Sequence, residues 1–170
     1  FFYNKTSGTV LTNTTCRPVF IDLSEEDNII PPVYQTQSVS TIYGVQVNNN
    51  IDGTITFNGQ STAVAYSMMI QVSKAIKIER GKRYLLTGCP KQTTTNYELV
   101  ASFRKGGTTV GDPAVDIGNG IIFTAPDDDY DYLWLYLLNV TPNYNYENVV
   151  IDPKIVCIDA DFRYSGLGNK

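Results

Sequence analysis

Asp52-Gly53 and Asn58-Gly59 bracket the alternating run Thr54-Ile55-Thr56-Phe57, and no other stretch limits the fold of this chain so sharply. Asp-Gly and Asn-Gly accept the positive φ values of tight hairpin turns, and alternation puts Ile55 and Phe57 on one face of the strand between them. The spacing predicts a β-hairpin with a turn at each dipeptide. From Tyr43 onward, short alternating segments recur at 42–47, 54–58, 62–72, 75–79, 83–88, 97–104, 108–111, 120–125, 132–139 and 147–158. Turn residues separate them, as in Glu79-Arg80-Gly81-Lys82, Gly88-Cys89-Pro90, Lys105-Gly106-Gly107, Gly118-Asn119-Gly120 and Ala125-Pro126-Asp127. About ten short strands without a helical apolar stripe predict an all-β domain, a two-sheet antiparallel β-sandwich or jelly roll. In 62–72, Ala63, Ala65, Ser67 and Met69 alternate with Val64, Tyr66, Met68 and Ile70, so both faces are apolar and the strand is expected in the middle of the sandwich.

Residues 1–41 are less regular, with Thr9-Val10-Leu11 and Val19-Phe20-Ile21 as short apolar segments. Glu25-Glu26-Asp27 forms a polar break before Ile29-Ile30-Pro31-Pro32. A boundary near Asp27 divides the chain into an N-terminal connector at 1–27, a β-sandwich module at 28–158 and a C-terminal tail at 159–170. Phe1 in place of methionine predicts a processed product or part of a longer polypeptide, with the connector leading from an upstream stalk or particle-attachment segment.

Charged residues make up only 18% of the chain and the net charge is −4, so the expected surface is polar, built of Thr, Asn, Ser, Tyr and Gly. That balance argues against nucleic-acid or anionic-membrane partners, which are held by clustered Lys and Arg. The one basic cluster, Lys77 to Arg83, has Gly81 at its centre and reads as a charged hairpin turn. The longest apolar run, Leu133 to Leu138 flanked by Tyr132, falls far short of the ~18 residues that span a bilayer, and no charged-then-apolar leader precedes it. Cys16, Cys89 and Cys157 show no Cys-x-x-Cys spacing, which indicates neither a zinc site nor a redox dithiol. A Cys16–Cys157 or Cys89–Cys157 bridge stays open beside three buried free thiols.

The chain contains no histidine, which removes Ser-His-Asp and Cys-His catalysis and imidazole-ligated metals. Hydrolysis through paired carboxylates survives, with Asp112, Asp116, Asp127, Asp128, Asp129, Asp131, Glu147 and Asp152 as the supply. Such chemistry needs two acids facing each other across ~5–9.5 Å, one with its pKa raised by burial. Most of these acids lie in Gly- and Pro-rich turns that are normally solvated, so a non-enzymatic protein is expected. Within Asp127-Asp128-Asp129-Tyr130-Asp131, the carboxylates of Asp127, Asp129 and Asp131 would begin a calcium site if backbone carbonyls and a second loop completed it. The alternative is a solvated turn that keeps the following hydrophobic strand from pairing with neighbours. No other cofactor is implied.

Tyr132-Leu133-Trp134-Leu135-Tyr136-Leu137 puts three aromatic side chains on one face of a strand and three leucines on the other. With the leucines buried, Tyr132, Trp134 and Tyr136 form an outward aromatic row able to stack on sugar rings; alternatively both faces are covered and the rings pack between sheets or under a neighbouring subunit. Tyr144 and Tyr146, with Asn143 and Asn145, follow Pro142 in a segment that reads as an adaptable recognition loop or a plain turn. Asn4-Lys5-Thr6, Asn13-Thr14-Thr15 and Asn139-Val140-Thr141 are formal glycosylation sequons, a pattern that an Asn- and Thr-rich chain also produces by chance.

Residues 28–158 resemble a module of tail and fibre proteins from phages and prophages of Gram-positive and gut bacteria. The match runs through Asn28-Ile29-Ile30-Pro31-Pro32, Tyr43-Gly44-Val45-Gln46-Val47, the stretch from Asp52 to Gly59, and Ala63-Val64-Ala65-Tyr66. It continues through the hairpin from Ile78 to Cys89, Asp116-Ile117-Gly118-Asn119-Gly120 with Phe123-Thr124, and Val150-Ile151-Asp152-Pro153-Lys154-Ile155. Lys154 stands where the family pattern has methionine after the proline, and the Tyr-rich stretch from Tyr130 to Tyr146 has no counterpart in it. The resemblance implies a carbohydrate-binding-type β-sandwich on a virion stalk. By that reading the chain is a non-enzymatic tail- or head-fibre protein at the virion surface. Its partners would be bacterial surface polysaccharide and other virion proteins, and it would assemble as a homo-oligomer, most simply a trimer. Rival expectations are a structural decoration of capsid or tail, a secreted bacterial carbohydrate-binding module or adhesin, and a glycan hydrolase.

Overall fold

The computed structural model describes residues 38–63, 66–73 and 78–159. The expected connector at 1–27, the boundary near Asp27, Cys16 and nearly all of the expected tail lie outside them. The described residues form eleven strands and no helix: β1 Ser38–Ile42, β2 Val45–Asn49, β3 Ile55–Gln60, β4 Tyr66–Ser73, β5 Arg83–Thr87, β6 Tyr97–Lys105, β7 Thr108–Asp116, β8 Ile121–Thr124, β9 Tyr132–Asn139, β10 Asn145–Ile151 and β11 Lys154–Cys157. Every pairing is antiparallel. The strands make two four-stranded sheets, ordered β1-β2-β3-β10 and β4-β9-β6-β7, and a three-stranded sheet, β11-β5-β8. The all-β sandwich expected from the alternation is the observed fold.

One layer is organised by β9 and β6, paired in register with Leu137 opposite Leu99, Leu135 opposite Ala101 and Leu133 opposite Phe103. All six side chains are buried. Each fully buried leucine contributes ~1.5–3 kcal/mol by leaving water, so this strand pair anchors the core. The other two sheets close over it. Tyr146 of β10 packs on Tyr97 of β6 with ring centroids 5.6 Å apart, and Phe123 of β8 packs on Phe103 at 6.1 Å. Val45, Val47, Ile55 and Phe57 add the inward face of the β2–β3 hairpin, as the alternation of Ile55 and Phe57 requires.

Turn chemistry accounts for both the agreements and the differences. The Asp52-Gly53 turn joins β2 to β3, with the Asp52 carboxylate accepting the Thr54 amide at 3.0 Å. Asn58-Gly59 is not a hairpin turn, contrary to the sequence expectation. Both residues lie inside β3, where Gly59 has φ +108° and a side chain would meet the Gly44 carbonyl oxygen at 2.6 Å. The Asn58 side chain accepts the Asn148 amide at 2.8 Å where β10 bulges between Tyr146 and Val149. The turn missed by the sequence is Tyr43-Gly44, both at positive φ, which splits the expected segment 42–47 into β1 and β2.

β4 is an edge strand paired only with β9 among the described residues, which corrects the expectation that it runs through the middle of the sandwich. β7 runs on to Asp116 rather than stopping at residue 111, because a bulge across from Ser102 absorbs Gly111, Asp112 and Pro113 at a sheet edge, where proline costs no ladder hydrogen bond. The expected strand 147–158 breaks at Asp152-Pro153 into β10 and β11, which belong to different sheets.

The sheets are tied together by one fully buried amide. Asn139, at the end of β9 and 0% exposed, donates to the carbonyls of Ala63 at 2.9 Å and Thr141 at 3.0 Å and accepts the Tyr146 hydroxyl at 2.9 Å. Its sequon is therefore sterically closed. Asn139→Ala strips three partners from buried groups and should lower the unfolding free energy by ~3 kcal/mol, whereas Tyr146→Phe should cost ~1–2 kcal/mol; urea denaturation of both variants measures the difference.

Candidate functional site

β9 turns Leu133, Leu135 and Leu137 into the core, so Tyr132, Trp134 and Tyr136 stand on its opposite face. There Trp134 and Tyr136 pack on each other and on a neighbouring strand. Trp134 and Tyr136 are tilted by 45° with centroids 4.8 Å apart, the Arg104 guanidinium of β6 lies 4.4 Å above the Trp134 ring, and Tyr136 is only 8% exposed. Burial raises the Tyr136 phenol pKa, against a lowering effect of Arg104. The indole Nε1 of Trp134, the Nε of Arg104 and the hydroxyl of Ser102, the residue directly across from Trp134, are buried without hydrogen-bond partners.

The second aromatic pair sits elsewhere. Tyr146 is a core residue of β10, and half-buried Tyr144 stands edge-on to it at 4.8 Å and against Tyr97 at 5.8 Å. The expected recognition loop is instead a wall of the core, because a Tyr hydroxyl paired to a buried Asn lets the whole ring be enclosed. Sequence offered no sign of the Asn139–Tyr146 pair.

Asp127, Asp129 and Asp131 do not converge. Asp129 pairs with Arg80 and lies 3.5 Å from Lys105, while Asp131 accepts the Gly106 amide at 2.8 Å. Arg80, and after it Lys105, holds the Asp129 carboxyl below the usual carboxylate range. Among the described residues no three His, Cys, Asp or Glu side chains are placed to hold a metal ion. The basic turn is matched in the same way: Lys82 meets Glu79 at 2.8 Å and Arg83 meets Asp159 at 2.6 Å.

Asp116 departs most from the sequence expectation of a solvated acid, since it is 1% exposed. Its Oδ1 accepts the amides of Gly118 at 2.8 Å, Asn119 at 3.1 Å and Gly120 at 2.8 Å, and its Oδ2 accepts the Cys89 amide at 3.0 Å. Four backbone donors consume both oxygens, so the carboxylate fills an anion-binding nest made by its own chain. The Cys89 thiol is pushed up to about 11 by burial and then by the Asp116 charge, which keeps it protonated and poorly nucleophilic near neutrality. Cys89 and Cys157 are both free, so no bridge joins them.

Beyond Asp116 the chain crosses from β7, the edge of one sheet, to β8, the edge of another. A groove of about 500 Å³ lies between them, lined by Gly111 to Ala114 on one side and Ile121 to Asp127 on the other. Ile122 is 54% exposed, and Ile121 and Ile117 are exposed nearby. Asp112 and Asp127 supply the groove's two carboxylates.

No protein-family model and no curated protein matches this chain. Its fold is similar to a chain in the crystal structure of accessory secretory proteins 1, 2 and 3 of Streptococcus pneumoniae, with a TM-score of 0.50 and 16% identity over 70% of this chain and 89% of that one. A glycosylation-associated protein (Gap123) complex of Streptococcus agalactiae also matches, with a TM-score of 0.46 and 14% identity over 73% of this chain and 45% of that one. At these identities the likeness establishes the fold alone. It corrects the expectation of a phage tail- or head-fibre module: the matched S. pneumoniae structure is one of accessory secretory proteins. The virion role, its surface-polysaccharide partner and the virion-surface location do not stand.

Two outcomes test this description. Trp134→Ala removes a half-buried ring and its guanidinium contact and should cost ~2 kcal/mol in urea denaturation. Cys89 and Tyr97 should make the protein sensitive to base. Burial raises Cys89 from an ordinary 9.0 to about 11 and Tyr97 from 10.0 to about 12, so the unfolded chain loses these protons first. Their contribution is complete below pH 9 and is lost as pH rises toward 11–12. The urea midpoint should therefore fall across that window, and Cys89→Ala should flatten its first part.

Proposed function

We propose that this chain is a non-enzymatic β-sandwich module that binds another protein within a bacterial multiprotein assembly. The observation that carries the reading is the exposed edge strand β8, where Ile121 and Ile122 stand at the mouth of a groove with their strand edge unpaired among the described residues. Exposed apolar groups beside an open strand edge invite pairing with another chain. The fold likeness supports it: the matched S. pneumoniae structure contains accessory secretory proteins 1, 2 and 3 together. A structural rather than catalytic use of acids also supports it. Asp116, the buried carboxylate, is saturated by four backbone amides, and the acidic turn spends Asp129 and Asp131 on Arg80, Lys105 and Gly106.

Co-expression of the full chain with the products of its neighbouring genes tests the reading. Size exclusion with light scattering should show a complex heavier than this 18.9 kDa chain by the mass of at least one different protein. A chain that elutes alone in the presence of each of them overturns it.

A further inference from the structure

We propose that the groove between β7 and β8 receives an extended segment of the partner protein, which adds as a strand to the free edge of β8 and presents a lysine or arginine to Asp112 and Asp127. The inference rests on the protein-binding reading above and names the chemistry of its partner.

The phase of the β5–β8 ladder decides which groups are on offer. Ala125 donates to the Lys82 carbonyl at 2.9 Å, and Arg83 lies opposite Thr124, Tyr84 opposite Phe123 and Leu85 opposite Ile122. In an antiparallel pair, residues alternate between bonding their partner and turning their N–H and C=O the other way. Ala125 bonds inward, so Phe123 and Ile121 do too, and Ile122 and Thr124 turn their backbone groups to the groove. An extended segment meets those groups as a neighbouring strand would. β8 is four residues long, ~13 Å at the usual strand rise, which suits an occupant of four to six residues.

The opposite wall cannot compete for these groups. β7 bulges at Gly111 to Pro113, and Pro113 has no N–H to give. The side chains on offer are apolar on both faces of the added strand. Phe123 stacks on Tyr84 inside the sandwich, and Ile122 lies outside at 54% exposure. Among the described residues, neither Asp112 nor Asp127 has an ion pair or hydrogen bond, whereas Glu79, Asp129 and Asp159 each hold a cation. Two uncompensated carboxylates in an apolar groove select a basic occupant over an acidic one. A second copy of this chain is disfavoured, because a two-fold β8–β8 pairing would bring two acidic rims together.

The test uses the full chain, labelled with ¹⁵N, and a blocked hexapeptide alternating valine with lysine. The peptide should slow hydrogen exchange at the Ile122 and Thr124 amides. The same peptide with glutamate for lysine should bind at least ~10-fold more weakly, and methylation of its alternate backbone nitrogens should abolish binding. Asp112→Asn with Asp127→Asn should weaken the lysine peptide ~10-fold without shifting the melting temperature, since both side chains are exposed. Lack of protection at these amides by the lysine peptide, equal binding of the lysine and glutamate peptides, or protection that grows with protein concentration alone each overturns the inference. An assembly with a neighbouring gene product that leaves Ile122 and Thr124 unprotected also overturns this site, while the protein-binding reading stands. Absence of any such assembly sinks that reading itself.

Discussion

A single carboxylate governs how the chain crosses from β7 in one sheet to β8 in another. Asp116 ends β7, and by gathering the amides of Gly118, Asn119 and Gly120 on one oxygen it forces the chain to reverse within four residues and enter β8. With its other oxygen it holds the Cys89 amide just beyond β5, the strand that pairs with β8. A buried charge is tolerated only when its hydrogen bonds are fully met, and here four donors meet it. The crossing from one sheet to another is thereby rigid. The groove between β7 and β8 is a direct result of that crossing.

Glu79, Asp129 and Asp159 serve as counter-charges. The turn at 79–83 and the loop at 127–131 are laced together by Arg80 with Asp129 and by the Tyr130 hydroxyl, which donates to the Ile78 carbonyl at 2.7 Å. Surface pairs of this kind add little stability individually, but they close the loop that follows β8 over the end of the sandwich. The edges of the fold are treated unequally. β7 carries a bulge and a proline, and β10 carries a bulge at Asn148, both of which discourage pairing with a further strand. β8 has neither device, and it presents isoleucine.

Much of the fold was legible because strand periodicity is written locally. Ile55 with Phe57, and Leu133 with Leu135 and Leu137, face the core as their alternation demands, and Gly106-Gly107 turns where the dipeptide suggests. The candidate site was less legible. Asn58-Gly59 has the composition of a hairpin turn, yet the Asn58 side chain holds the bulge of β10, 90 positions away, and Gly59 lets the Gly44 carbonyl approach closely. Tyr146 looked like a loop residue because its partner Asn139 is known only once β9 and β10 lie side by side. Asp116 looked solvated because a Gly-rich turn normally is; nothing in Asp116-Ile117-Gly118-Asn119-Gly120 announces that the loop folds back over its own carboxylate.

The sequence by itself determined that this chain is a β-sandwich, that imidazole chemistry is absent, and that the leucines and aromatics of β9 stand on opposite faces. Those properties follow from side-chain type and a period of two, and neither depends on distant partners. Only the tertiary structure decided which acids are buried, which aromatic rings are enclosed, and which strand edge is left open. Each of those is a property of pairs of strands far apart in the chain. Exposure of Ile122 and saturation of Asp116 are set by the order β11-β5-β8 beside β4-β9-β6-β7, and strand order depends on long-range packing that local alternation does not encode.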